Sequence, residues 1–137
     1  QRDGILTNLG NTNIAYSPNI VAGNNITLTP IKSLQVSFLT KFVGKQYMGN
    51  IDAKKSVLPD FTTSDLNITY EWKINKGIKS IVFSGLINNF FNRTYESNGY
   101  FYTYDDNWSG PGTTTIEGAG FYPQAGINFL AGMNLKF

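Results

Sequence analysis

Apolar and polar residues alternate along much of the chain, most cleanly at the C-terminus. Phe129, Ala131, Met133, Leu135 and Phe137 fall on one face, and Leu130, Gly132, Asn134 and Lys136 on the other. A period of two is the signature of a β-strand with one apolar side. At about 3.3 Å per residue this strand runs roughly 26 Å. Tilted by about 40°, it covers a height of roughly 20 Å, near the ~25 Å apolar band of a transmembrane barrel. Leu66, Ile68, Tyr70 and Trp72 repeat the pattern against Asn67, Thr69, Glu71 and Lys73. So do Leu34, Val36, Phe38, Thr40 and Phe42 against Gln35, Ser37, Leu39 and Lys41. Ile20, Ala22, Ile26 and Leu28 do so more weakly, because Asn24 interrupts the apolar side. Ile81 to Ile87 is apolar on both sides, which predicts a strand without assigning its outward face. Five strands follow, at roughly 19–29, 33–43, 61–74, 79–90 and 121–137.

The links between them alternate in length. Thr29-Pro30-Ile31-Lys32 and Asn75-Lys76-Gly77-Ile78 read as tight turns, whereas 44–60 and 91–120 are long. Outer-membrane barrels have short periplasmic turns and long extracellular loops, so the alternation predicts which end faces which side. The final strand then descends to the periplasm, strand 19–29 also descends, and residues 1–18 are the remnant of an extracellular loop. Single-chain bacterial barrels close with an even strand count and at least eight strands. Five strands, or six if part of Ile5 to Leu9 belongs to one, fall short of that. The expectation is a portion of something larger, whose exported precursor has lost residues before Gln1.

Composition narrows the chemistry. Ten Phe, eight Tyr and two Trp accompany sparse charge, and no run approaches the ~18–20 apolar residues of a membrane-spanning helix. The net charge of +2 and the lack of a basic cluster argue against nucleic acid. Without Cys there is no disulfide or thiolate site, and without His the commonest general base and metal ligand are missing. An enzyme is not expected, nor a cofactor.

Two segments carry a resemblance. Asn89-Phe90-Phe91-Asn92-Arg93-Thr94-Tyr95 fits an N-[LF]-F-[ND]-x-x-Y pattern. Tyr122-Pro123-Gln124-Ala125-Gly126-Ile127-Asn128-Phe129 resembles a Y-P-x-A/P-G-R-x-F/Y final strand, with Ile127 where Arg is common. Phe42-Val43-Gly44-Lys45-Gln46-Tyr47-Met48-Gly49-Asn50 resembles the strand-to-loop junction upstream. Together, in this order, they resemble the C-terminal β-barrel segment of TonB-dependent outer-membrane receptors. The fold class expected is therefore all-β, an antiparallel transmembrane barrel segment of five to six strands. The whole of 1–137 would form the last part of a barrel of about 22 strands.

The resemblance implies a bacterial outer-membrane importer of a scarce solute such as a ferric chelate, cobalamin or an oligosaccharide. Its partners would be outer-membrane lipid and the remainder of the barrel with its plug domain. Energy coupling through TonB would act only through N-terminal parts outside these residues. Phe129, Met133, Leu135 and Phe137 resemble the β-signal read by the barrel-assembly machinery, by pairing of an exposed strand edge. They are equally lipid-facing wall.

Tyr100, Tyr102, Tyr104 and Trp108 stand in the long 91–120 link with Phe101, Asp105, Asp106 and Asn107. They are candidate substrate contacts, since Tyr and Trp are frequent binding anchors, but an aromatic girdle explains them as well. Oxygen ligands at Asp105, Asp106 and Asn107 suit calcium chemically, though the spacing matches no known loop. No metal site is predicted. Glu71 and Lys73 belong to the lumen-facing side, where charges pair with each other or with a plug. Four Asn-x-Ser/Thr triplets are read as chance. The rival from another class is a small β-sandwich adhesin, which would bury Leu34, Phe38, Tyr70, Trp72, Phe129 and Leu135 between two sheets.

Overall fold

The computed structural model describes residues 8–137. It is all-β with antiparallel pairing, and among the described residues there is one 3-10 turn and no α-helix. The strands are β1 (Val21–Ile31), β2 (Leu34–Val43), β3 (Gln46–Tyr47), β4 (Val57–Leu58), β5 (Phe61–Lys76), β6 (Ile78–Asn88), β7 (Glu96–Asp106), β8 (Thr114–Pro123) and β9 (Asn128–Lys136). The possible sixth strand at Ile5 to Leu9 lies outside the described residues, apart from Asn8 and Leu9, which are not in a strand.

The chain divides into two compact units. One is a meander made of Val21–Val43, Thr62–Thr94 and Gln124–Phe137. Its single sheet has the order β1-β2-β5-β6-β9. Each strand pairs with its predecessor in the meander, so β1 and β9 are the edges and run parallel to one another. Ile26 faces Phe38 and Leu28 faces Val36. Ile68, Tyr70 and Trp72 face Gly85, Phe83 and Ile81. Ile81, Phe83, Gly85 and Ile87 then face Leu135, Met133, Ala131 and Phe129. The Thr40 and Ser64 hydroxyls, 3.2 Å apart, join β2 to β5 on this same face. Period-two apolar positions in five separate segments therefore converge on one continuous apolar face. The register also resolves the ambiguous β6 segment: Ile81, Phe83 and Ile87 belong to that face, Val82 and Leu86 to the other.

The opposite face carries the polar set. Thr27 and Ser37 hydroxyls lie 2.9 Å apart, and the Asn88 amide donates to Asn128 Oδ1 at 2.9 Å. Glu71 accepts from the Ser80 hydroxyl at 2.8 Å and from Lys136 Nζ at 3.1 Å, tying β5, β6 and β9 together. Gly77 turns the chain from β5 into β6 with φ +77°, a conformation open to glycine at no steric cost. The other tight link differs from expectation. β1 runs on through Pro30 to Ile31 by way of a register shift after Leu28, and the turn falls at Lys32 and Ser33. Proline is tolerated there because the ladder is already interrupted at this register shift.

The second unit comprises, among the described residues, 8–20, Gly44–Phe61 and Tyr95–Pro123. Most of both long links belongs to it, and neither is plain loop. Residues 44–60 hold the small β3–β4 pair, with Gln46 opposite Leu58 and Tyr47 opposite Val57. Residues 91–120 were expected to be loop, but β7 and β8 form a long hairpin there. The continuous final strand expected over 121–137 is also two strands, β8 ending at Pro123 and β9 starting at Asn128. Pro123 has no N–H with which to continue a ladder. Met48 and Leu58 are the buried apolar residues of this unit among those described. Gly99 gives Met48 its place, because a Cβ there would lie 2.5 Å from the Met48 sulfur.

Candidate functional site

Three arrangements bring the sequence-predicted residues together, and the first explains the two motifs. Asn89 closes β6 in the left-handed region (φ +50°) and is almost wholly buried. Its Nδ2 donates to the carbonyls of Arg93 (2.8 Å) and Ala125 (3.1 Å), and its Oδ1 accepts the Arg93 N–H at 2.9 Å. Its own N–H is held by Asp65 at 2.9 Å. Asn92, also left-handed (φ +49°), accepts the Ile127 N–H on Oδ1 at 2.9 Å. That oxygen sits where a Cβ on Gly126 would be, at 2.6 Å. The Asn-Phe-Phe-Asn turn and the Pro-Gln-Ala-Gly segment are thus two halves of one junction, fixing the approach of β9 to β6. Asparagine suits both turn positions because it tolerates the left-handed region and bonds backbone locally. The contacts at Ala125 and Gly126 were not foreseen, since nothing local in either motif points to the other.

The second arrangement is the apolar face itself. Phe129 is 82% exposed, Met133 60%, Trp72 53% and Leu135 45%. All belong to the face shared with Ile26, Leu28, Ile68, Tyr70 and Phe83, which are exposed as well. Phe38, Phe90 and Phe91 cluster edge-to-face with centroids 5.3–6.3 Å apart. Leu34 and Phe38 are half-buried. Large apolar side chains from β1, β5, β6 and β9 thus share one exposed face. Phe137, the remaining β-signal candidate, follows the end of β9 and is exposed.

The third arrangement is the aromatic set of the hairpin. Tyr100, Tyr102 and Tyr104 occupy alternate positions of β7, opposite Gly120, Gly118 and Ile116. Side chains on Gly118 and Gly120 would overlap the Tyr102 and Tyr100 rings, so the two glycines clear the space into which the rings lean across the strand pair. Tyr100–Tyr102 and Tyr102–Tyr104 centroids are each 6.3 Å apart, and Tyr104–Trp108 6.5 Å, with planes within 17° of parallel. Tyr122, read in the sequence as part of the final-strand motif and not as a member of this set, joins at 6.1 Å from Tyr100. The alternation of tyrosines at period two, facing a Gly-x-Gly, was the signal that a hairpin lay here.

The acids beside this ladder serve its turn. Asp106 Oδ1 accepts the N–H groups of Trp108 (3.1 Å) and Ser109 (3.2 Å). Hydrogen bonds from Ser109, then the Trp108 backbone, hold its carboxyl below the usual aspartate range. Asp105 accepts the Thr115 hydroxyl at 2.7 Å across the pair. The run read as possible calcium ligands therefore builds the hairpin end. Glu71 of the meander pairs with Lys136 rather than with its strand neighbour Lys73.

Comparison with known proteins found no matching family model, no matching curated protein and no matching solved structure.

Proposed function

We propose that the chain is a wall-and-loop segment of an outer-membrane β-barrel, of the TonB-dependent receptor kind, importing a scarce solute. One observation carries the reading: five strands of one antiparallel sheet share a mainly apolar face, largely exposed along β1, β5 and β9 and half-buried along β2, while the other face is mostly polar. A bilayer covers such a face, and a barrel lumen hydrates the other. The two unpaired edges support the same reading. Because β1 and β9 run parallel, joining them directly would break an antiparallel barrel, so the sheet calls for further strands. The short turns at one end and long excursions at the other match periplasmic and extracellular sides.

In this role the residues here supply wall, assembly signal and surface loops. A ferric chelate, cobalamin or oligosaccharide would be moved by a plug and TonB coupling contributed elsewhere. The receptor assignment rests on the Asn89–Tyr95 and Tyr122–Phe129 motifs, whose residues meet in one junction. The exposure of Trp72 and Phe129 speaks against the sandwich adhesin, which would bury them.

The chain has no cysteine, so single-cysteine labelling is clean. A reporter placed at Ile68, Phe83 or Met133 in lipid vesicles should be quenched by acyl-chain spin labels. One at Thr69, Ser84 or Asn134 should be quenched by a water-soluble agent instead. Equal access at both sets would overturn the membrane reading.

A further inference from the structure

The ladder of Tyr100, Tyr102, Tyr104 and Trp108 is a surface with a direction, a repeat and a sign of charge. Its rings are 44–72% exposed. The other face of β7 is already used: Phe101 packs against Gly49, Met48 occupies the space at Gly99, and Tyr16 donates to the Gly99 carbonyl at 2.8 Å. Among the described residues the tyrosine face is the exposed one.

The ring repeat of 6.3–6.5 Å is close to the spacing of side chains on one face of an extended polypeptide, about 6.4–6.8 Å for every second residue. Residues 96–123 carry Glu96, Asp105, Asp106 and Glu117 and not one Lys or Arg. Asp106 stands on the tyrosine face at the Trp108 end. Lys55 Nζ donates to the Glu117 carbonyl on β8 at 3.2 Å. Parallel aromatic rings in a negative field attract cations through the ring quadrupole and through longer-range attraction.

We infer that the β7–β8 hairpin docks an extended basic segment of another polypeptide, carrying Lys or Arg at alternate positions in step with the tyrosine rings. This concerns the hairpin alone and does not depend on the membrane reading. Guanidinium groups suit it better than ammonium, because they stack on ring faces as well as carrying charge. Main-chain extension of the partner sets the spacing, and the ladder reads the alternation.

The test is fluorescence anisotropy with dye-labelled peptides of about ten residues, long enough to span the ladder at about 3.3 Å per residue. The protein is titrated into a peptide alternating Arg and Thr, and into its match with Glu for Arg, in detergent or in plain buffer if it proves soluble. The arginine peptide should bind saturably and the glutamate peptide should not. Raising salt from about 50 mM to about 300 mM should weaken binding. Tyr102→Phe, which keeps the ring, should bind like the parent. Tyr102→Leu should bind roughly two- to five-fold more weakly. Circular dichroism verifies that both variants keep the parent fold. Three results would overturn the inference: no saturable binding, equal binding of the glutamate peptide, or no loss in a folded Tyr102→Leu protein. Displacement of the peptide by maltohexaose, with loss of sugar binding in Tyr102→Phe, would assign the ladder to a glycan instead.

Discussion

Replacing Asn89 by glycine and by alanine separates two contributions that one residue makes to the β6–β9 junction. Glycine keeps the left-handed backbone (φ +50°) without strain and removes the side chain. It thereby deletes the bonds to the Arg93 carbonyl, the Ala125 carbonyl and the Arg93 N–H. At about 0.5–1.5 kcal/mol each, in a site where Asn89 is only 4% exposed, the loss is about 3 kcal/mol. Alanine loses the same bonds and adds the left-handed penalty of a Cβ, about 1–2 kcal/mol. The bond from the Asn89 N–H to Asp65 survives in both. Urea unfolding in detergent or vesicles should therefore rank parent, Asn89→Gly and Asn89→Ala, with the two steps near 3 and 1–2 kcal/mol. A loss below about 1 kcal/mol in both variants would refute the junction as a structural hub. Equal losses in the two would refute the backbone argument. Against a total stability of about 5–15 kcal/mol, either loss is large enough to read.

Two further outcomes follow from the same geometry. Gly126→Ala should displace the Asn92 carboxamide from the Ile127 N–H and cost about 1 kcal/mol, and Asn92→Gly should abolish most of that cost. A double-mutant cycle in the same urea assay measures the coupling, and additive effects would count against the shared junction. At the hairpin tip, the Asp106 carboxyl titrates below its usual range because its charged form is hydrogen-bonded. Its contribution to ordering Trp108 is therefore present above the ordinary aspartate pKa and lost as pH falls through the lowered value. The near-ultraviolet circular dichroism of the stacked rings should stay flat from neutral pH to about pH 4 and fall below it. Asp106→Ala should show the acid signal already at neutral pH, and a midpoint above the usual range would sink the assignment.

Side-chain alternation was enough to locate four strands of the meander within two residues, and the C-terminal part of the fifth, because a half-covered sheet imposes a period of two on each strand separately. The apolar sides of β2, β5 and β9 were legible for the same reason. So was the alternation of short and long links, which depends on spacing alone. Register was not legible. Which face Ile81 to Ile87 turns to the apolar side was decided by pairing with Trp72 across the hairpin and with Leu135, distant in sequence. The hairpin in 91–120 escaped notice because aromatic residues between glycines and acids read as loop. Only the placement of Gly118 and Gly120 under the tyrosine rings makes that stretch regular. The two motifs were visible as strings, yet their meaning depended on Asn89 and Asn92 reaching Ala125 and Ile127 across more than thirty residues of chain. Local periodicity thus determined the elements and their apolar sides. Long-range hydrogen bonds and close approaches, which no local pattern encodes, decided how those sides merge into one face and how the last strand is held.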